Sequence, residues 1–286
     1  FAPVDETATE VFRERCILVG SFIGAVGFGI HFILFIQCVN AVYARRQRQV
    51  ALRTCGLLGV ICILFILGAI GNSTHIVLAG KTFIDDRNFP GGPGAYAAST
   101  NDWSAVVTDS VCIVNTWVQD AILLYRFWVL CSCNYFVVAL PLVGFLASIV
   151  ISAMRMAEMS EQGNSFWSSF SAKLAISFWT MSISTTLILT SLIAGRLLYM
   201  RYRHRRLMGP NSDTTYITIT ALLVESAALY SINAIFVLIT YALKSPVLQL
   251  GLPLLGQTQS IAPLLIILRV TQAQAWSPST ATDLST

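Results

Sequence analysis

The sequence predicts an all-α polytopic membrane protein: a bundle of seven transmembrane helices, N-terminus outside and C-terminus cytoplasmic. Three observations predict it. Of 286 residues only 11% are charged, 55% are hydrophobic, and the apolar residues collect into long continuous runs. A soluble domain carries about 25% charge. So little charge cannot cover water-facing surfaces on a chain whose mean hydropathy is +0.69. The same composition excludes disordered, collagen-like and disulfide-scaffold chains.

A helix that crosses about 30 Å of hydrocarbon needs about 20 apolar residues, because lipid offers backbone polar groups no partner. Seven stretches meet that length: 17–43, 55–79, 105–131, 135–154, 174–200, 216–243 and 252–270. The runs are continuous rather than alternating, which excludes transmembrane β-strands. This divides the chain into an extracellular segment 1–16, a transmembrane domain 17–270 and a Ser/Thr-rich cytoplasmic tail 271–286, expected to be disordered. No cleavable signal peptide is expected, since the first apolar run is too long and is followed by arginines. No internal repeat stands out, which weakens transporter folds built from duplicated halves.

Orientation follows from the basic residues. With the N-terminus outside, the cytoplasmic side collects Arg45, Arg46, Arg48, Arg53, Arg126, Arg196, Arg201, Arg203, Arg205, Arg206 and Arg269. Arg155 counts with the smaller outer set, and Glu10, Asp85, Asp86, Asp102 and Glu158 are among the outer acids. The positive-inside rule favours that arrangement. The loop from Lys81 to Ser104 contains Pro90-Gly91-Gly92-Pro93-Gly94 and is expected to lack regular structure, as a flexible connection or a cover over a pocket mouth. Cys16 and Cys112 both fall near outer helix ends, where they could pair. Cys131 and Cys133 fall at an inner end, where they could be palmitoylated. No Cys/His spacing suits a metal, and no cofactor is implied.

Ionisable groups inside a membrane are costly, so they are the best local evidence for function. On the third span Asp109, Cys112, Thr116, Gln119 and Asp120 share an arc of about 100°, with Asn115 just outside it. The stripe fits either the wall of a water-accessible cavity or interhelical packing, in which each hydrogen bond contributes about 0.6 kcal/mol. Asp109 and Thr116 are candidate ligand groups; Asp120 is a candidate for a structural or switch role. On the sixth span Thr218, Glu225, Leu229, Asn233, Phe236 and Thr240 share a face. Glu225 lies about 13 Å into that span and needs a proton or a partner. Arg126, Arg196, Arg269 and His31 are candidate partners, and Arg126 with Glu225 would make a cytoplasmic-side latch; static packing is the alternative. In the second span Asn72, Ser73 and Thr74 match a glycosylation pattern but read as polar helix packing, with His75 beside them. Gln257 and Gln259 precede Pro263, which is expected to kink the seventh span, and Arg269 snorkels to the inner surface.

The architecture resembles a G-protein-coupled receptor over about residues 17–270. Its motifs are not those of the rhodopsin-like class: Leu124-Tyr125-Arg126-Phe127 has no acid before the arginine, and Ala262-Pro263-Leu264-Leu265 stands where asparagine-proline-x-x-tyrosine is usual. Asp120-Ala121-Ile122-Leu123-Leu124-Tyr125-Arg126 and Ile261-Ala262-Pro263-Leu264-Leu265-Ile266-Ile267-Leu268-Arg269-Val270 are similar to segments of a large family of uncharacterised seven-span proteins of mushroom-forming fungi. That family usually has threonine after the proline, where this chain has Leu264. The resemblance implies a fold and a fungal membrane, with no activity attached.

Retinal is excluded because Lys81, Lys173 and Lys244 all fall at or beyond membrane edges. His31, His75 and His204 are too few for a zinc hydrolase or a haem protein. No nucleophile–base set marks an enzyme, and the arginines call for no nucleic acid. The expectation is an orphan receptor-like protein of the plasma membrane, sensing an extracellular small molecule or peptide near Asp109, Thr116, Asn233 and Gln257. Arg126 and the loops at 45–48 and 201–206 would meet a cytoplasmic partner such as a heterotrimeric G protein. The alternative is a transporter or channel with a polar path along spans three and six. The oligomeric state is not legible.

Overall fold

Helix begins at Thr7, whose backbone amide and hydroxyl both donate to Glu10 Oε2, at 2.7 and 2.8 Å. A carboxylate thereby satisfies groups at the positive helix end. The computed structural model describes residues 7–44, 51–89, 92–98, 103–131, 135–160, 169–208 and 214–273, and all their regular structure is helical. In chain order the helices are α1 (Ala8–Tyr43), α2 (Ala51–Gly80), α3 (Gly92–Ala98), α4 (Trp103–Leu130), α5 (Tyr135–Ser160), α6 (Ser169–Met208), α7 (Thr214–Ala242) and α8 (Leu248–Ala273), with a π-helical turn Lys81–Asp85 after α2.

Five of these contain stretches long and apolar enough to cross a membrane: α1, α2 with its π-turn, α5, α6 and α8. The other two long helices correspond to the third and sixth expected spans. α4 carries Asp109, Asp120 and Arg126. In α7 the described apolar stretch, Ala228–Ala242, is shorter.

Two expectations about connections are corrected. The loop after α2 is not irregular among its described residues: it holds the π-turn and α3. Gly92 starts α3 with φ 79°, and Pro93 then occupies the first turn, where its missing N–H costs nothing. Arg155 is not in an outer loop. α5 continues six residues past the apolar run, to Ser160, and takes Arg155 with it. Likewise α1 begins at Ala8 and absorbs Glu10, Arg13 and Glu14. A helix end is set by where its backbone groups find caps, not by where the apolar residues stop.

The long helices form a closed ring in the order α1, α2, α4, α5, α6, α7, α8, with α4 drawn inward against α6 and α8 as well. Apolar side chains such as Phe22 and Val26 on α1, Leu140 and Val143 on α5 and Ile232 on α7 point outward and are exposed. Buried positions include Asn115, Thr116, Gln119, Asp120, Gln257, Gln259 and Ser260. A bundle apolar outside and polar within suits lipid rather than water. Hydrogen bonds then tie neighbouring helices: Thr108 to Thr74 (2.8 Å), Trp117 to Ser152 (3.0 Å), Thr186 to Asp120 (3.1 Å), and Ser182 with Tyr230 (3.1 Å).

α1 and α8 approach most intimately. Pro253 supplies no N–H to the Gln249 carbonyl one turn before it, and that carbonyl oxygen lies against Gly20; a Cβ at Gly24 would stand 2.8 Å from Pro253 Cβ. α7 reverses into α8 through a tight cap in which Ser245 N donates to Thr240 O (2.9 Å) and Lys244 N to Tyr241 O (3.0 Å). Lys244 there has φ 51°, the left-handed region that favours glycine.

Gly20→Ala is expected to cost about 1–3 kcal/mol, because the new methyl meets backbone rather than a side chain that can turn aside. Gly29→Ala, with nothing within 4 Å of the added Cβ, is expected to leave the melting temperature of the purified protein unchanged. Lys244→Gly is expected to raise stability by about 0.5–1 kcal/mol, read in the same melting experiment.

Candidate functional site: a cavity at the N-terminal end of the bundle

The ends of α2, α5 and α7 and the starts of α4 and α8 surround a cavity of about 160 Å³. α2 contributes Asn72 and His75, α4 Asp109, Cys112 and Asn115, α5 Arg155, α6 Trp179, α7 Tyr241 and α8 Gln257. Ala97 of α3 also borders it, so part of the segment between α2 and α4 does reach the cavity.

Its charged centre is an ion pair. Arg155 Nη2 donates to Asp109 Oδ1 at 2.7 Å, with the arginine side chain 3% and the aspartate side chain 18% exposed. Arg155 is positioned by a polar face of α5: Ser148, Ser152 and Arg155, spaced by four and three residues, are all buried. Ser152 accepts from Trp117 Nε1 on α4, which holds α5 in register beside Asp109.

The floor of the cavity is a hydrogen-bonded seam between α4 and α8. Asn115 Nδ2 donates to Ser260 Oγ (3.0 Å) and to the Gly256 carbonyl (3.2 Å), and Ser260 Oγ returns a bond to Asn115 Oδ1 (3.2 Å). Gln259 Nε2 donates to Thr116 Oγ1 at 2.8 Å, and Cys112 Sγ donates to Gln259 Oε1 at 3.7 Å. On the α1 side Gln257 Nε2 donates to the Gly68 carbonyl (3.3 Å), while its Oε1 lies 3.1 Å from His31 Nδ1. Gly68 is needed for that approach, since a Cβ there would stand 2.5 Å from the imidazole.

Beyond the seam the interior holds apolar clusters together with the buried polar residues Gln119, Asp120, Thr186 and Thr190. Leu123, Phe127, Leu189, Ile193 and Ile266 form one buried cluster; Cys38, Ile61, Leu64, Leu264 and Ile267 form another.

Of the four ligand groups expected from the sequence, Asp109 and Gln257 line the cavity. Thr116 lies beneath it in the seam, and Asn233 lies outside it, its amide 3.5 Å from Thr258 Oγ1. Asp120 is buried below the seam, accepting from Thr186 through Oδ1, and its Oδ2 has no partner among the described residues. The expected polar face of span six does not form as a unit: Asn233 and Thr240 are buried, but Glu225, Leu229 and Phe236 are exposed. Among the described residues Arg126 and Glu225 form no ion pair. The side chains of Arg269 and Thr218, those of Arg201, Arg203, Arg205 and Arg206 in the cluster at 201–206, and the cluster at 45–48 lie outside those described. Cys16 and Cys112 are both free thiols rather than a pair; Cys131 is also free, and Cys133 lies outside the described residues.

Arg155, Asn72, His75, Gln259 and Ser260 belong to the site or its floor without having been singled out as ligand groups. The helical spacing of Ser148, Ser152 and Arg155 is the signal that places Arg155 inward. Comparison with known protein families, curated proteins and solved structures finds no match.

Removing either member of a buried ion pair leaves the other charge uncompensated. Asp109→Asn and Arg155→Met are each expected to cost on the order of 3 kcal/mol. The double variant should cost clearly less than their sum, as measured by thermal unfolding of the purified protein. Additive losses would mean that the two side chains act independently.

Proposed function

We propose that the chain is a seven-span, receptor-like protein of the plasma membrane, with its N-terminus outside and its C-terminus in the cytoplasm. In this reading α4 and α7 complete the set of spans. A small extracellular molecule enters the cavity beside Asp109 and Gln257, and the helices pass its presence to cytoplasmic loops that engage a partner, a heterotrimeric G protein being the first to try. The observation that carries the reading is the cavity at the N-terminal end: mostly apolar walls with a few convergent polar groups, floored by the Asn115–Gln259 seam, with apolar clusters around Leu123, Phe127 and Ile266 beyond it.

A pocket of this kind, with apolar walls and a few convergent polar groups, is what small-ligand sites require. A transporter or channel along α4 and α7 is less well supported, because Glu225 is exposed and apolar clusters around Leu123, Phe127, Leu189 and Ile266 and around Ile61, Leu64 and Leu264 pack beyond the seam, with Asp120 tied to Thr186. The resemblance to seven-span receptor-like proteins agrees with this reading but adds no ligand to it.

Cys112 tests both orientation and closure, since it borders the cavity as a free thiol. In a variant retaining Cys112 as its only cysteine, a membrane-impermeant thiol reagent is expected to label intact cells and to leave inside-out vesicles unlabelled. Labelling from both faces would favour a transport path; labelling from the inner face alone would reverse the orientation.

A further inference from the structure

We propose that the molecule taken by this cavity is small and uncharged, with an apolar body of about one ring and a single hydroxyl-type head. The proposal rests on the ligand-binding reading above and narrows it to a chemical class.

Charge is the first ground. Asp109 and Arg155 are the formally charged residues on the cavity wall, and they neutralise each other at 2.7 Å. A cation brought to Asp109 meets the guanidinium already there, and an anion brought to Arg155 meets the carboxylate. Neither ion gains a free counter-charge to offset the water it gives up, and that loss is large in a mostly apolar enclosure. A neutral ligand avoids the difficulty.

Hydrogen-bonding capacity is the second ground. Asn115 and Gln257 also border the cavity, but their amides are engaged with Ser260, Gly256, Gly68 and His31. Asn72 and His75 differ. They stand three residues apart on α2, so that both face the cavity, and neither side chain has a hydrogen-bond partner among the described residues. A carboxamide both donates and accepts, and so does a neutral imidazole. A hydroxyl has the matching capacity, donating one bond and accepting another, and so meets this pair.

Size and walls are the third. Val111, Leu252 and Trp179 supply apolar surface on the cavity wall. A space of about 160 Å³ is comparable to the roughly 150 Å³ that houses a benzene ring in an apolar protein cavity.

The test uses the full chain in lipid nanodiscs with four probes of one shape: benzyl alcohol, toluene, benzylammonium and benzoate. Binding is read by saturation transfer from protein to probe. Gly71→Leu provides the reference for partition into lipid. Gly71 borders the cavity, and a Cβ there would stand 3.5 Å from Val111 Cγ1, so the longer side chain fills the space without a backbone clash. Benzyl alcohol is expected to bind at least ten-fold tighter than the other three, and only where Gly71 is retained. Asn72→Leu and His75→Leu are expected to reduce its advantage over toluene to less than three-fold while toluene still binds, which shows the cavity intact.

Tighter binding of either ion, or equal binding of toluene and benzyl alcohol, would overturn the uncharged-hydroxyl class and leave the ligand cavity standing. If Gly71→Leu removes the binding of no probe, the cavity holds no such ligand and the receptor reading falls with it.

Discussion

The seam between α4 and α8 is the constraint on which the arrangement depends. Apolar helices in lipid gain little by touching one another, because lipid tails satisfy their side chains as well as a neighbouring helix does. What distinguishes one rotation of a helix from another is whether its polar groups find partners. Asn115, Thr116, Gln259 and Ser260 do so reciprocally, with Gln259 and Ser260 wholly buried. Rotating α8 away would strand two amides and two hydroxyls in a medium that offers them nothing.

Once α8 is set by that seam, its other contacts follow. Gln257, two residues earlier, faces α1 and α2 and reaches both His31 and the Gly68 carbonyl. A turn further back, Pro253 and the Gln249 carbonyl meet Gly24 and Gly20. On its α7 side, Gly251 sits against Phe236 and Val237, where a Cβ would stand 2.8 and 2.7 Å from their side chains. The proline and the glycines are thus parts of one device: a helix that turns different chemistry to different neighbours, and neighbours thinned to glycine where it comes closest. The cavity is the space enclosed between these helices at that end of the bundle, and the Asp109–Arg155 pair stands on its wall.

That pair shows how composition and position differ as evidence. Charges at the end of an apolar run read equally well as solvated loop residues or as buried groups. Arg155 reads as an outer charge when counted, and as an inward one when placed on the face shared with Ser148 and Ser152. Periodicity decides between them. The same test fails for Glu225, whose shared face with Asn233 and Thr240 exists on an ideal helix but is not wholly turned inward, because α7 meets α6 and α8 through Tyr230, Ala234, Val237 and Tyr241 instead.

From the sequence alone the long helices, their order and most of their bounds were legible, because apolar length is a one-dimensional property enforced residue by residue by the cost of unpaired backbone in lipid. Asp109 and Gln257 could also be named, as polar residues in apolar runs. The tertiary structure decided which polar residues meet: that Asp109 takes Arg155 from α5, that Thr116 serves the floor, that Asn233 stays outside, and that Asn72 and His75 face an open space. Those outcomes depend on helix rotation and on approach distances set by glycines and prolines on other helices. Such pairings join residues as far apart in the chain as His31 and Gln257, where no local pattern connects them.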